Sequence, residues 1–318
     1  MTPKMVANFR RSLSFTNQPS SSSSSTKHKK IYHVRSTSLP CRSHPLISQL
    51  KDAINELKCY WAPSSIKPQK NPTTSSWICD GLTQLKIVQE SLDDLLHLPQ
   101  TRESLRGHND LIDKFLDDFL RFVDVYGIFQ TLLLTLKEQH FAAQVAIRRR
   151  DDSKMDLYFK NLKKLAKDFG QLASAVQCMG KYPLLQSPPA DAGEDGDEIG
   201  EVMKDVIQVT ASVSLALFNG LSASLVFRKR SCLLRLVSFG NYKEIKKALV
   251  VIGEAGIQEF QEIISLDSLR KKGEEELKLT SKRMHELEDC IVGIEIGGER
   301  VFRSLINTRV SLLNVLTH

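Results

Sequence analysis

The sequence predicts an all-α protein, an elongated bundle of long antiparallel helices that follows a disordered N-terminal arm. The first observation is the placement of proline, because all eleven prolines lie at or before Pro189 and none falls in 100–182 or 190–318. Proline inside a helix costs about 3 kcal/mol, so long proline-free stretches are typical of helices. The second is that apolar residues recur every three or four positions in both stretches, as on one face of a helix.

Residues 1–43 are predicted to form the arm, which is basic and rich in serine. Residues 1–51 contain nine Lys and Arg and no acid, whereas residues 52–318 hold 35 bases and 37 acids, a net charge of −2. Such an arm buries too little apolar surface to offset the entropy lost on ordering. Its composition also fits a transit peptide. Because the basic excess belongs to the arm, no nucleic-acid partner is expected.

Composition divides the rest of the chain into two helical parts and a linker. Residues 44–182 are predicted to be the first part, whose first helix runs from Pro45 to Trp61. Residues 183–200 hold three prolines, three glycines and five acids, which predicts an acidic linker without regular structure. Residues 201–318 are the second helical part.

Two apolar seams in the first part predict an antiparallel αα-hairpin. One runs from Phe115 to Ile147 and the other from Met155 to Met179, with alternating spacings of four and three residues. The charged segment between them, residues 148–154, is short enough to reverse the chain. His140 lies on the first seam, where a packed histidine is expected because no partner stands at metal-ligand spacing.

An uncharged run of 22 residues, Val206 to Phe227, leaves three alternatives open. It is followed by Arg228–Arg230, so its length and flanks admit a membrane span with the basic end in the cytosol. Seven of its residues are Gln, Thr, Ser or Asn, which are unfavourable in hydrocarbon. A buried core helix is therefore favoured, with a membrane-associated helix and a true span as the alternatives.

The C-terminal part carries the most regular heptad pattern. A seam inside the bundle is favoured, a coiled coil with another chain is the alternative, and the oligomeric state stays open. A bend or break is expected at Gly297–Gly298, because glycine weakens a helix by about 1 kcal/mol relative to alanine. The seam residues are Leu277, Met284, Leu287, Ile291, Ile294, Val301, Leu305 and Leu312.

Motifs for catalysis, cofactor binding and metal binding are missing from the sequence. It contains no phosphate-binding loop, dinucleotide fingerprint, nucleophile elbow or zinc-protease motif. No catalytic, cofactor-binding or metal-ligating residue is assigned, and no cofactor is expected.

The six cysteines show no metal-ligand spacing and are interpreted as free thiols of a reducing compartment. An intracellular, cytoplasmic location is favoured, with membrane association or a plastid as alternatives.

One short motif in the arm has a physical mechanism. Arg35, Ser36, Ser38 and Pro40 form the pattern R-S-x-S-x-P, which resembles the phosphoserine motif read by 14-3-3 proteins. Phosphate on Ser38 adds about −1.5 to −2 charge, which a basic groove can bind. Ser14 is a second candidate phosphosite, in a weaker R-x-x-S pattern.

The two ends of the chain carry a family resemblance. Residues 33–45 read HVRSTSLPCRSHP and residues 308–318 read TRVSLLNVLTH, and they are similar to the opening and closing signatures of the plant-specific BYPASS family. Trp77 and the Asp-Gly-Leu sequence at 80–82 match the general layout of that family. The likeness spans about residues 31–318. It implies a plant protein whose relatives are linked to root and shoot development, and it implies no catalytic residues.

Together these observations predict a non-enzymatic interaction or regulatory protein of plant root and shoot development. It would bind protein partners through helical surfaces, and a protein that reads phosphoserine would bind it at phosphorylated Ser38. A peripheral membrane protein held by the 206–227 helix is one alternative. An enzyme of unknown class that acts on a small signal is the other.

Overall fold

A computed structural model of the chain describes residues 44–60, 75–106, 108–177, 179, 194–225, 257–264 and 273–317. All regular structure in these ranges is helical, so the all-α prediction is confirmed. The predicted arm, residues 1–43, lies outside them. The helices are α1 (Pro45–Tyr60), α2 (Ser75–Leu96), α3 (Pro99–Leu105), α4 (Asn109–Arg149), α5 (Asp152–Val176), α6 (Glu194–Ser224), α7 (Gln258–Ile264) and α8 (Glu274–Thr317).

Helices α4 and α5 form an antiparallel hairpin with a two-residue turn. Arg150 takes the left-handed conformation, with φ 53°, and ends α4. The Asp151 side chain accepts a hydrogen bond from the backbone N–H of Lys154 at 3.1 Å and caps α5. At about 1.5 Å per residue, the 41 residues of α4 span about 60 Å, which gives the bundle its long axis.

Helix α6 begins at Glu194, inside the segment 183–200 that was predicted to lack regular structure. The prediction is therefore wrong for residues 194–200. Acidic residues in a first helical turn are stabilised by the helix macrodipole, and the glycines there did not prevent the helix. Its second turn is packed, because Lys51 of α1 donates to Glu198 at 2.5 Å and Gly200 lies against Leu111.

The two predicted helical parts are interleaved in one compact unit, Ser43–His318. Helix α6 packs against α5, and α8 packs against α2 and α4. Rings from three helices meet in the core: Phe129 of α4 lies 6.1 Å from Phe169 of α5 and 5.2 Å from Phe218 of α6 between ring centroids. All three rings are fully buried.

Helix α8 continues through Gly297–Gly298, so the break expected there is wrong. A Cβ on Gly297 would lie 2.9 Å from Leu82 Cδ1, and a Cβ on Gly298 would lie 2.6 Å from Phe129 Cε1. The glycines let α8 approach α2 on one side and α4 on the other. The packing gained at this close approach stabilises the helix against the local preference of glycine for other conformations.

Candidate functional site

The outer face of α4 carries a row of exposed apolar side chains. Leu120, Leu134 and Phe141 are 39%, 54% and 67% exposed, and seven-residue steps place them on one side of the helix, with Gly127 between them. The inner seam of α4 lies on a different side of the helix and is buried. This outer row is a second heptad row on the same helix; its three apolar side chains are exposed, and Phe302 of α8 lies near Gly127.

Charged side chains, mostly acidic, border the outer row, with exposed Arg121 among them. Asp117, Asp124 and Glu138 are exposed and make no ion pair with any described residue. An apolar row beside carboxylates is complementary to an amphipathic helix that carries basic residues next to its apolar face.

His140 is buried between α4 and α8. Its Nε2 lies 2.8 Å from the carbonyl oxygen of Met284, and its Nδ1 has no hydrogen-bond partner among the described residues. A neutral ring that carries its proton on Nε2 satisfies this arrangement, because Nε2–H donates to the carbonyl. Burial lowers the pKa of His140 below its ordinary value, which keeps the ring neutral. Gln144, one turn further, donates to Glu288 at 2.8 Å, so the cluster joins the two helices.

A chain of buried polar side chains crosses the middle of the bundle. Gln89 of α2 donates to the Thr210 hydroxyl at 2.7 Å, and Tyr126 of α4 lies 3.0 Å from the Ser214 hydroxyl. Burial raises the pKa of Tyr126, which keeps the phenol protonated and able to donate. The Thr210 and Ser214 hydroxyls also donate to carbonyls one turn earlier in α6. Each of these groups has a hydrogen-bond partner, which suits a structural role that fixes the register of the helices.

The uncharged run at 206–227 therefore lies in the core as far as the structure describes it. Its hydroxyls are satisfied within the bundle, and its apolar residues from Val206 to Leu225 are mostly buried. Residues 226–230, with the three basic residues, lie outside the described ranges. Two described segments, α4 and Glu198–Ser224 of α6, are long and apolar enough to cross a bilayer. Core helices of soluble proteins meet the same criteria, so this is weak evidence for a span.

A pair of cysteines lies near the start of α2 and the middle of α8. Burial raises the pKa of Cys290 to about 12, and burial together with Asp80 raises the pKa of Cys79. Both thiols therefore stay protonated and weakly nucleophilic. Glu259 of α7 accepts hydrogen bonds from the backbone N–H and hydroxyl of Ser75, at 3.1 and 2.6 Å. These contacts hold α7 against the start of α2, and the described residues contain no group of three or more His, Cys, Asp or Glu placed to bind a metal ion.

The predicted C-terminal seam is used inside the chain. Helix α8 presents it to α2 and α4, and every seam residue from Met284 to Leu312 is buried, whereas Leu277 is half-buried. In this fold the seam is not available to a second chain. The predicted phosphosites Ser14 and Ser38, with Arg35, Ser36 and Pro40, lie outside the described residues, and the phosphorylation stays a prediction.

Comparison with known proteins decides the family. A family model described as Protein BPS1 matches residues 81–315, from the first third of α2 to the end of α8. The chain belongs to the BPS1 family. The predicted resemblance to the BYPASS proteins is thereby confirmed, although the segment 33–45 lies outside the match. Membership of the BPS1 family suggests a role in plant development. No curated protein and no solved structure matches the chain.

The sequence reasoning missed the outer row of α4. The row shares its seven-residue period with the inner seam, and the inner seam is larger and more aromatic, so the apolar pattern was assigned to the core alone. The signal that identifies the row is the second set of apolar residues out of phase with the first, at positions 120, 134 and 141.

Proposed function

We propose that this member of the BPS1 family acts as a non-enzymatic interaction protein in root and shoot development. It binds a protein partner through the outer row of α4, formed by Leu120, Leu134 and Phe141. The observation that supports this function is the exposure of these apolar side chains on a long, well-packed helix. Large apolar groups held in water on a rigid helix are typical of a protein-binding surface.

The chemistry of the surface indicates the kind of partner. The apolar row favours an amphipathic helix, which lays its own apolar face along α4. The carboxylates of Asp117, Asp124 and Glu138 favour basic residues at the flanks of that helix, because opposite charges steer the encounter and fix the orientation. The partner segment is therefore a basic amphipathic helix.

A binding experiment tests this surface directly. The probe is a synthetic helical peptide with leucine at heptad spacing and lysine at the flanks, and its binding to the purified full-length chain is measured by fluorescence anisotropy. Removing two central apolar contacts in the variant Leu134→Gln/Phe141→Gln costs about 1–2 kcal/mol each, so binding weakens at least about tenfold.

A matched control separates the outer row from general surface hydrophobicity. Ile87 and Leu279 are 47% and 48% exposed on other helices, so Ile87→Gln/Leu279→Gln removes similar apolar area elsewhere. We expect this control variant to bind the peptide within about twofold of the unmodified chain. Equal weakening in both variants, or none in either, contradicts the assignment of the surface.

A further inference from the structure

The exposed face of α5 carries a stripe of lysines. Lys160, Lys163, Lys164 and Lys167 are all exposed, and their spacings of three, one and three residues place them on one side of the helix. The opposite side of α5 is buried in the bundle, with Leu162 and other apolar residues in the core. We call these four residues the lysine stripe. It extends over about 10 Å of the helix axis.

The four lysines of the lysine stripe have no ion-pair partner among the described residues. Several other lysines of the chain are paired with acids, as in Lys86–Glu90 at 2.8 Å, Lys137–Glu295 at 2.7 Å and Lys278–Glu275 at 3.0 Å. None of the four lysines of the stripe makes an ion pair with another residue in the part of the chain that is described. No described residue of the bundle therefore neutralises their positive charge through an ion pair.

More basic residues continue the stripe toward the α4–α5 turn. Arg148–Arg150 at the end of α4 and Lys154 in the first turn of α5 are exposed as well. Two acids of α5 lie near the stripe, exposed Asp156 one turn before Lys160 and half-buried Asp168 one turn after Lys164, and the bases outnumber them. The distance from Lys154 to Lys167 is about 20 Å along the helix, so neighbouring charges lie within about one Debye length and act on a partner together.

One apolar side chain accompanies the lysines. Leu157 is 55% exposed and lies one turn before Lys160, on the same side of the helix as Lys164. An exposed leucine among lysines is suited to the boundary between lipid headgroups and acyl chains, where the leucine enters and the ammonium groups stay at the headgroups.

We propose that the lysine stripe of α5 docks the protein on an anionic membrane surface, with phosphate and carboxylate headgroups as its ligands. The residues favour a membrane over an acidic protein. Lysine ammonium groups on flexible stems are point charges that fit a mobile array of headgroups, whereas fixed carboxylates on a protein are more often bound by the rigid fork of arginine. The stripe also lies along a single helix that projects one leucine and is not set in a groove. This docking does not depend on the proposed protein partner of α4.

Vesicle flotation of the purified full-length chain tests the docking. The vesicles are phosphatidylcholine alone or phosphatidylcholine with phosphatidylserine. The test variant replaces Lys160, Lys163, Lys164 and Lys167 by glutamine. The matched control replaces Lys86, Lys114, Lys278 and Lys282 by glutamine, which changes the net charge equally and also leaves the basic N-terminal arm intact.

We expect the unmodified chain to bind the phosphatidylserine vesicles more tightly than the neutral ones. Each lysine near an anionic surface contributes about fivefold to partition, so loss of the stripe weakens binding at least about tenfold. The control stays within about twofold. A third variant, with arginine at the four stripe positions, keeps the charge and retains vesicle binding. Circular dichroism checks that all variants are equally helical.

Three outcomes overturn the proposal. The first is an unmodified chain that does not distinguish anionic from neutral vesicles. The second is an equal loss of vesicle binding in the stripe variant and the control, which assigns the binding to net charge or to the arm. The third is stripe-dependent binding of polyglutamate with unchanged vesicle binding, which assigns the stripe to an acidic protein.

Discussion

Substituting Gly298 by alanine tests whether α8 is packed as closely as the structure shows. Alanine adds one methyl group, and its Cβ would lie 2.6 Å from Cε1 and 3.3 Å from Cδ1 of Phe129. Phe129 cannot easily move away, because it is fully buried and its ring packs against Tyr126, Phe169 and Phe218. The added methyl group must therefore displace α8 or the aromatic cluster.

Two effects of opposite sign decide the magnitude. Alanine in place of glycine inside a helix stabilises by about 0.5–1 kcal/mol. Overpacking a rigid core costs about 1–3 kcal/mol, and the 2.6 Å approach puts Gly298 at the upper end of that range. We expect Gly298→Ala to lower the free energy of unfolding by about 1–2 kcal/mol, which lowers Tm by about 2–8 °C.

Gly127 provides a control with the opposite expected sign. It lies inside α4, and an added Cβ would meet only Phe302 Cε2, at an ordinary contact distance of 3.9 Å. Gly127→Ala should therefore stabilise by about 0.5–1 kcal/mol. Urea unfolding followed by circular dichroism at 222 nm measures both variants. If Gly298→Ala stabilises as much as Gly127→Ala, the reasoning is refuted and the glycine pair is only a weak point of the helix.

Three further predictions concern the buried polar groups and the arm. The pKa of His140 is lowered in the fold, so its contribution to stability is complete above about pH 6.5 and is lost as the pH falls toward the folded-state value. His140→Gln should flatten the fall of the urea midpoint between pH 7.5 and 5.5, and an unchanged pH dependence in this variant contradicts the contribution of His140. Tyr126→Phe removes the hydrogen bond to Ser214 and should cost about 0.5–1.5 kcal/mol in the same unfolding assay, and an unchanged midpoint contradicts the role of this bond. Phosphorylated chain should bind a 14-3-3 protein in a pull-down, and Ser38→Ala should abolish it; equal recovery rules out Ser38 as the docking phosphosite.

The long helices could be predicted from the sequence because their apolar spacing is a local property. The seams of α4 and α5 and the heptads of α8 each occupy one continuous segment, and the period alone assigns a helix and its buried face. The αα-hairpin follows from the short charged turn between two such segments. The stability of these helices comes from burying those faces, so the same pattern that predicts the helix also predicts the core.

The behaviour of Gly297–Gly298 could not be predicted, because it depends on residues far away in the sequence. Helix propensity counts each glycine as a weak point, whereas the positions of Leu82 and Phe129 decide that only glycine fits. The prediction that residues 183–200 lack regular structure was wrong at Glu194, where α6 begins, for a similar reason. Its composition favours a loop, and the contact of Lys51 with Glu198 that supports the helix joins residues 147 positions apart.

The candidate surfaces were visible in the sequence only in part. The lysines of α5 are plain in the sequence, but their lack of ion pairs depends on which acids lie nearby in the fold. The outer row of α4 was hidden by the stronger inner seam. Polar residues in the 206–227 run did indicate the core, because their hydroxyls find carbonyl and side-chain partners there.

Growth rescue in plants tests the central claim, that the protein works through the outer row of α4, most directly. A plant line that lacks this gene is transformed with the unmodified chain, with Leu134→Gln/Phe141→Gln or with the control Ile87→Gln/Leu279→Gln, at matched protein levels. We predict normal root and shoot growth with the unmodified chain and the control, and defective growth with the α4 variant. Full rescue by the α4 variant contradicts the account.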